Sequence, residues 1–281
     1  MKKKRELFLI GISVLFLFLM LVLPLISVVV YSLKGGLRFY FQSLSTSTVR
    51  SAFQITILAT VLSVLINTFF GIMAAWVITR FSFRGKQILS TLIDLPFSIS
   101  PVIAGLSFLM TFGRLGWAGK WIRTFNHALG TNIRIVYAVP GVVLATIFVT
   151  FPFVAREIIP VLTGRGKEEE EAAALMGAGG IPIFLKITFP HIRFALLYGI
   201  ILCSARALGE FGAVYALSKT RGETFTLPLE IDALYLSNSS NSITAAFAVS
   251  SILVLLAVIV LFLKNWVEYR KKKENPTNGF N

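Results

Sequence analysis

The chain has 281 residues, 56% of them hydrophobic and only 14% charged, where soluble domains are nearer a quarter charged. That composition excludes a water-soluble globule. Its net charge of +14, from 27 Lys and Arg against 13 Asp and Glu, would point a soluble protein toward nucleic acid. In a membrane protein the positions of the charges decide, and here they argue for topology and anionic lipid instead.

The apolar residues fall in six blocks, at 7–30, 53–79, 88–112, 135–154, 194–217 and 243–263. Each runs to about 20 residues or more, enough at ~1.5 Å per residue to cross a hydrocarbon core of roughly 30 Å. The expectation is a single all-α membrane domain of six transmembrane helices. Lys2, Lys3, Lys4 and Arg5 precede the first block like the start of a signal peptide. The block is too long for such a segment and has no Ala-x-Ala cleavage site, so it reads as an uncleaved first helix.

Counting basic residues on alternate sides of the spans gives seventeen on one side and nine on the other. The richer side holds the N-terminal cluster, Arg80, Arg84 and Lys86, the basic residues of 155–193, and the C-terminal run from Lys264 to Lys273. By the positive-inside rule both termini face the cytoplasm, in a multi-pass protein of the cytoplasmic membrane. Trp76, Trp266 and Tyr269 fit an aromatic belt at the inner interface.

Within the third block, Asp94 is followed by Pro96 and Pro101, which predicts a bent helix. Asp94 sits where it can cap the bend or pair with Arg84 or Lys86. In the next outer loop Trp117, Trp121, Phe125 and Leu129 recur at every fourth position, with Arg114, Lys120 and Arg123 largely off that stripe. This is the pattern of a short amphipathic helix at the outer interface. The outer loop 218–242 contains Thr226-Leu-Pro-Leu-Glu-Ile-Asp-Ala-Leu-Tyr235, apolar enough to fold back on the helix ends. The one cysteine, Cys203, lies inside an apolar block and reads as a buried structural thiol.

The inner loop 155–193 carries the most information. Residues 168–176 form a helix with acidic residues in its first turn, where the macrodipole favours them. Gly177, Gly179 and Gly180 end it, Pro182 opens a second short helix, and Pro190 is expected to close that one. Glu171-Ala172-Ala173, Gly177, Ile187 and Pro190 match the spacing E-A-A-x3-G-x9-I-x-L-P, with Phe189 in the Leu position. In this the chain resembles the permeases of ABC importers, of the type I fold. The resemblance implies that the first short helix is a coupling helix which docks on a separate dimeric ATPase, with Glu171, Ala172, Ala173, Gly177, Ile187 and Pro190 as the coupling residues. The chain carries no phosphate-binding GxxxxGK[ST] motif. ATP is then bound and hydrolysed on the partner, and the chain itself is no enzyme and holds no cofactor or metal.

Arg206 stands apart from the other basic residues, roughly 18 Å into the fifth block by helical rise. Glu210 follows one turn on, on the same face. Such charges normally face a cavity and pair with each other, so the two are candidates for the translocation pathway, the arginine offering a bidentate fork to an oxyanion.

The run Ala205-Arg-Ala-Leu-Gly-Glu-Phe-Gly-Ala-Val214 is similar to oxyanion permeases. The Arg221-Gly-Glu-Thr-Phe-Thr-Leu-Pro-Leu229 and Ala195-Leu-Leu-Tyr-Gly199 segments resemble the W-type subunit of the sulfate/thiosulfate permeases. The resemblance implies a second permease subunit, either a T-type homologue or a second copy, together with an external sulfate-binding protein. A homodimeric molybdate or tungstate permease is the alternative. No nucleic-acid partner is expected.

Overall fold

The computed structural model describes residues 2–274, with side chains for residues 6–270; the side chains of Lys2 to Arg5 and Lys271 to Lys273, which enter the charge count above, lie outside the described residues. The elements are α1 (Lys2–Leu17), α2 (Leu23–Ser32), α3 (Gly36–Leu44), α4 (Ser47–Arg80), α5 (Lys86–Ser98), α6 (Pro101–Phe112), α7 (Trp117–Leu129), α8 (Val139–Thr150), α9 (Pro152–Arg165), α10 (Glu168–Leu175), α11 (Gly180–Ile183), α12 (Phe189–Leu208), α13 (Gly212–Leu217), α14 (Leu227–Leu236) and α15 (Ser240–Glu274). One π turn at Phe18–Val22 joins α1 to α2, and another at Phe184–Thr188 joins α11 to α12. There is no strand among the described residues.

Five helical runs are long and apolar enough to cross a membrane: Glu6–Ser32, Ser47–Arg80, Val139–Arg165, Gly180–Leu208 and Ser240–Arg270. The block expected as the third span forms the pair α5 and α6, bent by 107° at Ile99 and Ser100, and counts as a sixth crossing only if the two are taken together. Both of those residues have ψ near +130°. The residue before a proline is pushed out of the helical region, so Pro101 forces this break.

Pro96 and Pro160 lie inside α5 and α9, but six other prolines open helices. Pro24, Pro101, Pro140, Pro152, Pro190 and Pro228 all sit in the first two positions of a helix, where the missing N–H costs nothing. This corrects the expectation for Pro190. The helix that begins at Gly180 runs through it, because the π turn hands its hydrogen bond from the Phe189 amide back to the Phe184 carbonyl and the ring then enters a fresh first turn.

The bounds of two blocks change as well. The fourth span runs to Arg165 instead of ending at 154, so residues 155–165 of the expected inner loop are helix. The fifth begins at Gly180 and stops at Leu208, and 212–217 is a separate short helix.

The core has two halves. On the side of Arg80, α4, α9 and α12 close around Ala75, Val154, Ile158, Leu162, Ile192, Leu196 and Cys203. The thiol is fully buried there, against the Thr150 carbonyl and Asn67. Toward the other end, α4, α8, α13 and α14 enclose Ile55, Val142, Val214 and Leu229. The segment after residue 218 does fold back: α14 buries Leu227, Leu229 and Glu230. The amphipathic helix forms as α7, with Trp117 and Trp121 about three-quarters exposed. The first span lies largely outside the bundle and meets it through α2 and α15, where Tyr31 stacks on Phe247.

Candidate functional site

Helix α10 is short and begins with four consecutive glutamates, whose charge complements the N-terminal end of the dipole. It ends in a Schellman turn, the Ala178 amide bonding the Ala173 carbonyl and the Gly177 amide bonding that of Ala174, both at 3.0 Å. Gly177 has φ +86°, which an L residue adopts only at a cost of roughly 1–2 kcal/mol.

The turn reverses the chain and leaves an apolar tip, with Leu175 90% and Met176 84% exposed. Glu171, Ala172 and Gly177 share that exposed end, whereas Ala173 is turned inward and buried. Ile187 is half-buried in the π turn, and Pro190 is exposed at the start of α12. The first four predicted residues therefore form one protruding element, and the last two belong to the helix it leads into.

What sequence reasoning missed is how this element is fastened. The Arg80 side chain at the end of α4 forms an ion pair with Glu170, Nε to Oε2 at 2.7 Å, and its Nη2 donates to Oε1 at 2.9 Å. Nη1 donates to the Leu162 carbonyl of α9 at 3.0 Å. Thr188 donates to Glu170 Oε1 at 2.7 Å, and Lys167 Nζ donates to the Arg80 carbonyl at 2.7 Å. On the outside of the same junction His191 and Glu169 are 2.7 Å apart, and this hydrogen bond holds the Glu169 carboxyl below the usual carboxylate range. A signal was available in the run of four glutamates facing a span-terminal arginine.

Asp94 is also paired, but with Arg156 at 2.7 Å and not with Arg84 or Lys86. Arg156 lies in the helical extension of the fourth span, which the sequence boundary had placed in a loop. At the opposite end of the molecule Arg221 makes a bidentate pair with the buried Glu230, which also accepts from Thr48.

Arg206 and Glu210 are brought together as expected, with Nη2 to Oε2 at 2.7 Å. They do not share one helix, however. α12 ends at Leu208, Arg206 occupies its last turn, and Glu210 lies in the break before α13. The glutamate is 1% exposed, and its Oε1 accepts the Ala213 amide at 2.8 Å, so it caps α13. The arginine stays about one-third exposed.

This break lies beside the break in the third span. Gly105 of α6 is so close to α13 that a methyl group there would sit 2.3 Å from the Ala213 carbonyl oxygen, and Gly212 abuts Pro101. A cavity of about 470 Å³ opens along α6, lined by Ser98, Ser100, Ser107, Thr111 and three phenylalanines. Neither Arg206 nor Glu210 is among its lining residues.

Residues 67–273 match the model of the family described as the inner membrane component of binding-protein-dependent transport systems. The chain belongs to that family. It is accordingly a transport subunit and a multi-pass protein of the inner membrane. Among its relatives is the sulfate transport system permease protein CysW of Escherichia coli K12, 42% identical over 95% of this chain and 89% of its own. The protein of the same name from Synechocystis is 43% identical over 95% of this chain and 94% of its own. A chain of the crystal structure of a bacterial alginate ABC transporter, in complex with its alginate-bound periplasmic protein, superposes with a TM-score of 0.76 at 18% identity, covering 97% of this chain and 96% of that one. The fold is thus that of an ABC transporter permease.

Proposed function

We propose that this chain is the W-type permease subunit of an ATP-driven importer for sulfate and thiosulfate, working beside a T-type permease subunit, two cytoplasmic ATPase subunits and an external sulfate-binding protein. The observation that carries this reading is the shape of α10: a helix with Glu171, Ala172, Leu175 and Met176 exposed around a Schellman turn, at the end of the molecule where the inner-side charges collect. Small residues permit close approach, Glu171 offers a charge to a basic residue of the ATPase, and the apolar tip fills a cleft.

ATP is bound and hydrolysed on the ATPase, and this chain converts the closure of that dimer into helix movement. In this orientation both termini are cytoplasmic. Arg206 lines the pathway: Glu210 is committed to the cap of α13 and balances the guanidinium when the path is empty, and the arginine's exposed edge supplies donors to a passing oxyanion. Relatives of 42% and 43% identity over most of both chains support sulfate above molybdate or tungstate.

The test is copurification of this chain with the T-type subunit and the ATPase, then reconstitution with the binding protein and uptake of radiolabelled sulfate. ATP-dependent sulfate uptake is the expected result. Molybdate uptake by a complex holding two copies of this chain, or uptake driven by an ion gradient without ATP, would overturn the proposal.

A further inference from the structure

Four helix ends meet around one arginine–glutamate pair. Arg80 is the last residue of α4, where a cation complements the dipole. Leu162 is among the last four residues of α9, whose carbonyls have no partner within the helix, and Arg80 Nη1 fills that vacancy at 3.0 Å. Glu170 stands in the first turn of α10. Thr188 closes the π turn that leads into α12, and its hydroxyl reaches the same carboxylate. Lys167 returns to satisfy the carbonyl of Arg80 itself. The junction is nearly closed to solvent, with the Arg80 side chain 9% and the Glu170 side chain 16% exposed.

The backbone alone would hold α10 loosely. It joins α9 through Gly166 and Lys167, and α11 through residues 176–179, and both links contain a glycine at positive φ. A push on α10 transmitted through such links would bend them before it moved a span. An arginine fork on a carboxylate fixes both distance and orientation, and this one fastens α10 to three spans at once.

We infer that Arg80 is a positioning residue for coupling, which through Glu170 makes α10 move as one body with the ends of α4, α9 and α12. The inference rests on the reading of α10 as the coupling helix. Arg80 acts here through Glu170 and the Leu162 carbonyl, with little of its own surface left open.

The test compares wild type with Arg80→Gln, Arg80→Lys, Glu170→Gln and the exchanged pair Arg80→Glu with Glu170→Arg, each in the complete reconstituted complex. Three quantities are read: ATPase copurified per permease, ATP hydrolysed, and sulfate imported per ATP. The expected result is copurification and ATP hydrolysis within twofold of wild type, with sulfate per ATP lowered about tenfold or more in the single variants, as the loss of one charged hydrogen-bond pair implies, and partly restored in the exchanged pair. A wild-type ratio of sulfate to ATP in Arg80→Gln and Glu170→Gln overturns the inference.

If Arg80→Gln does not assemble, Arg80→Lys decides, since it keeps the charge and most of the packing but not the fork. A wild-type ratio in the lysine variant, or its failure to assemble, assigns the arginine to folding alone and also overturns the inference. Glu171→Lys is run alongside. If it leaves ATPase docking and transport intact, the reading of α10 fails, whatever Arg80 does.

Discussion

Two arginine–glutamate pairs, with the same 2.7 Å separation, sit in opposite circumstances. At the α10 end the arginine is the buried partner: Arg80 is 9% exposed and reaches two elements besides its own. At the break in the fifth span the glutamate is the buried one, occupied in capping α13, and Arg206 is left about a third exposed. A fork enclosed with its protein acceptors can fasten but cannot receive. One whose partner is held elsewhere can exchange that partner for an anion. Identical chemistry thus gives a joint in one place and a candidate receptor in the other, and what separates them is which member of the pair the fold has enclosed.

The comparison can be broken from either side. The largest effect is expected at the tip beyond the joint: Glu171→Lys, or Gly177→Val at φ +86°, reduces ATP-driven uptake to background and weakens ATPase copurification, while the amount of chain in the membrane is unchanged. Arg206→Ala follows. Losing a charged hydrogen-bonding group is worth about 1.5–3 kcal/mol, or roughly 10- to 150-fold in uptake rate, with assembly retained. Unchanged assembly and an unchanged rate together would remove Arg206 from the pathway.

Next comes Gly105→Ala, which drives a methyl into the Ala213 carbonyl and must shift α6 against α13. It is expected to lower stability by about 1–3 kcal/mol, read as a lower melting temperature in detergent, and to disturb Arg206 through the cap on α13. The smallest effect is at the rim of the joint. The Glu169 carboxyl is held below its usual range by His191, so its contribution is present above the ordinary carboxylate range and fades as pH falls through the depressed value. The protection of α10 amides, taken against intrinsic exchange at the same pH, is expected to fall in acid, and Glu169→Gln to remove that dependence.

Much of this was legible in the chain itself. The apolar blocks located the spans, the spacing of Trp117, Trp121, Phe125 and Leu129 located α7, and the acidic first turn with Gly177 located α10 and its reversal. What escaped has a common cause. Arg80 counted as one more inner-side charge, because a tally of charges says nothing about a partner 90 residues away. Arg156 was hidden as the partner of Asp94 because the fourth span was cut at its apolar edge, whereas the helix continues past the membrane-like residues. Pro190 read as a stop because a π turn has no sequence signature comparable to a proline. Arg206 and Glu210 read as one face of a continuous helix because the apolar block runs unbroken from 194 to 217, whereas the helix stops at Leu208 and Glu210 lies in the break before α13.

Cys203 is the one cysteine in the chain, and it is wholly enclosed between α4, α8 and α12. For anyone wishing to watch the molecule work, this makes the natural sequence a ready labelling background. A thiol introduced at Leu175, 90% exposed, or at Leu115 on the far side, also 90% exposed, would be the accessible one, so a probe at either end could report movement without the native cysteine first being removed.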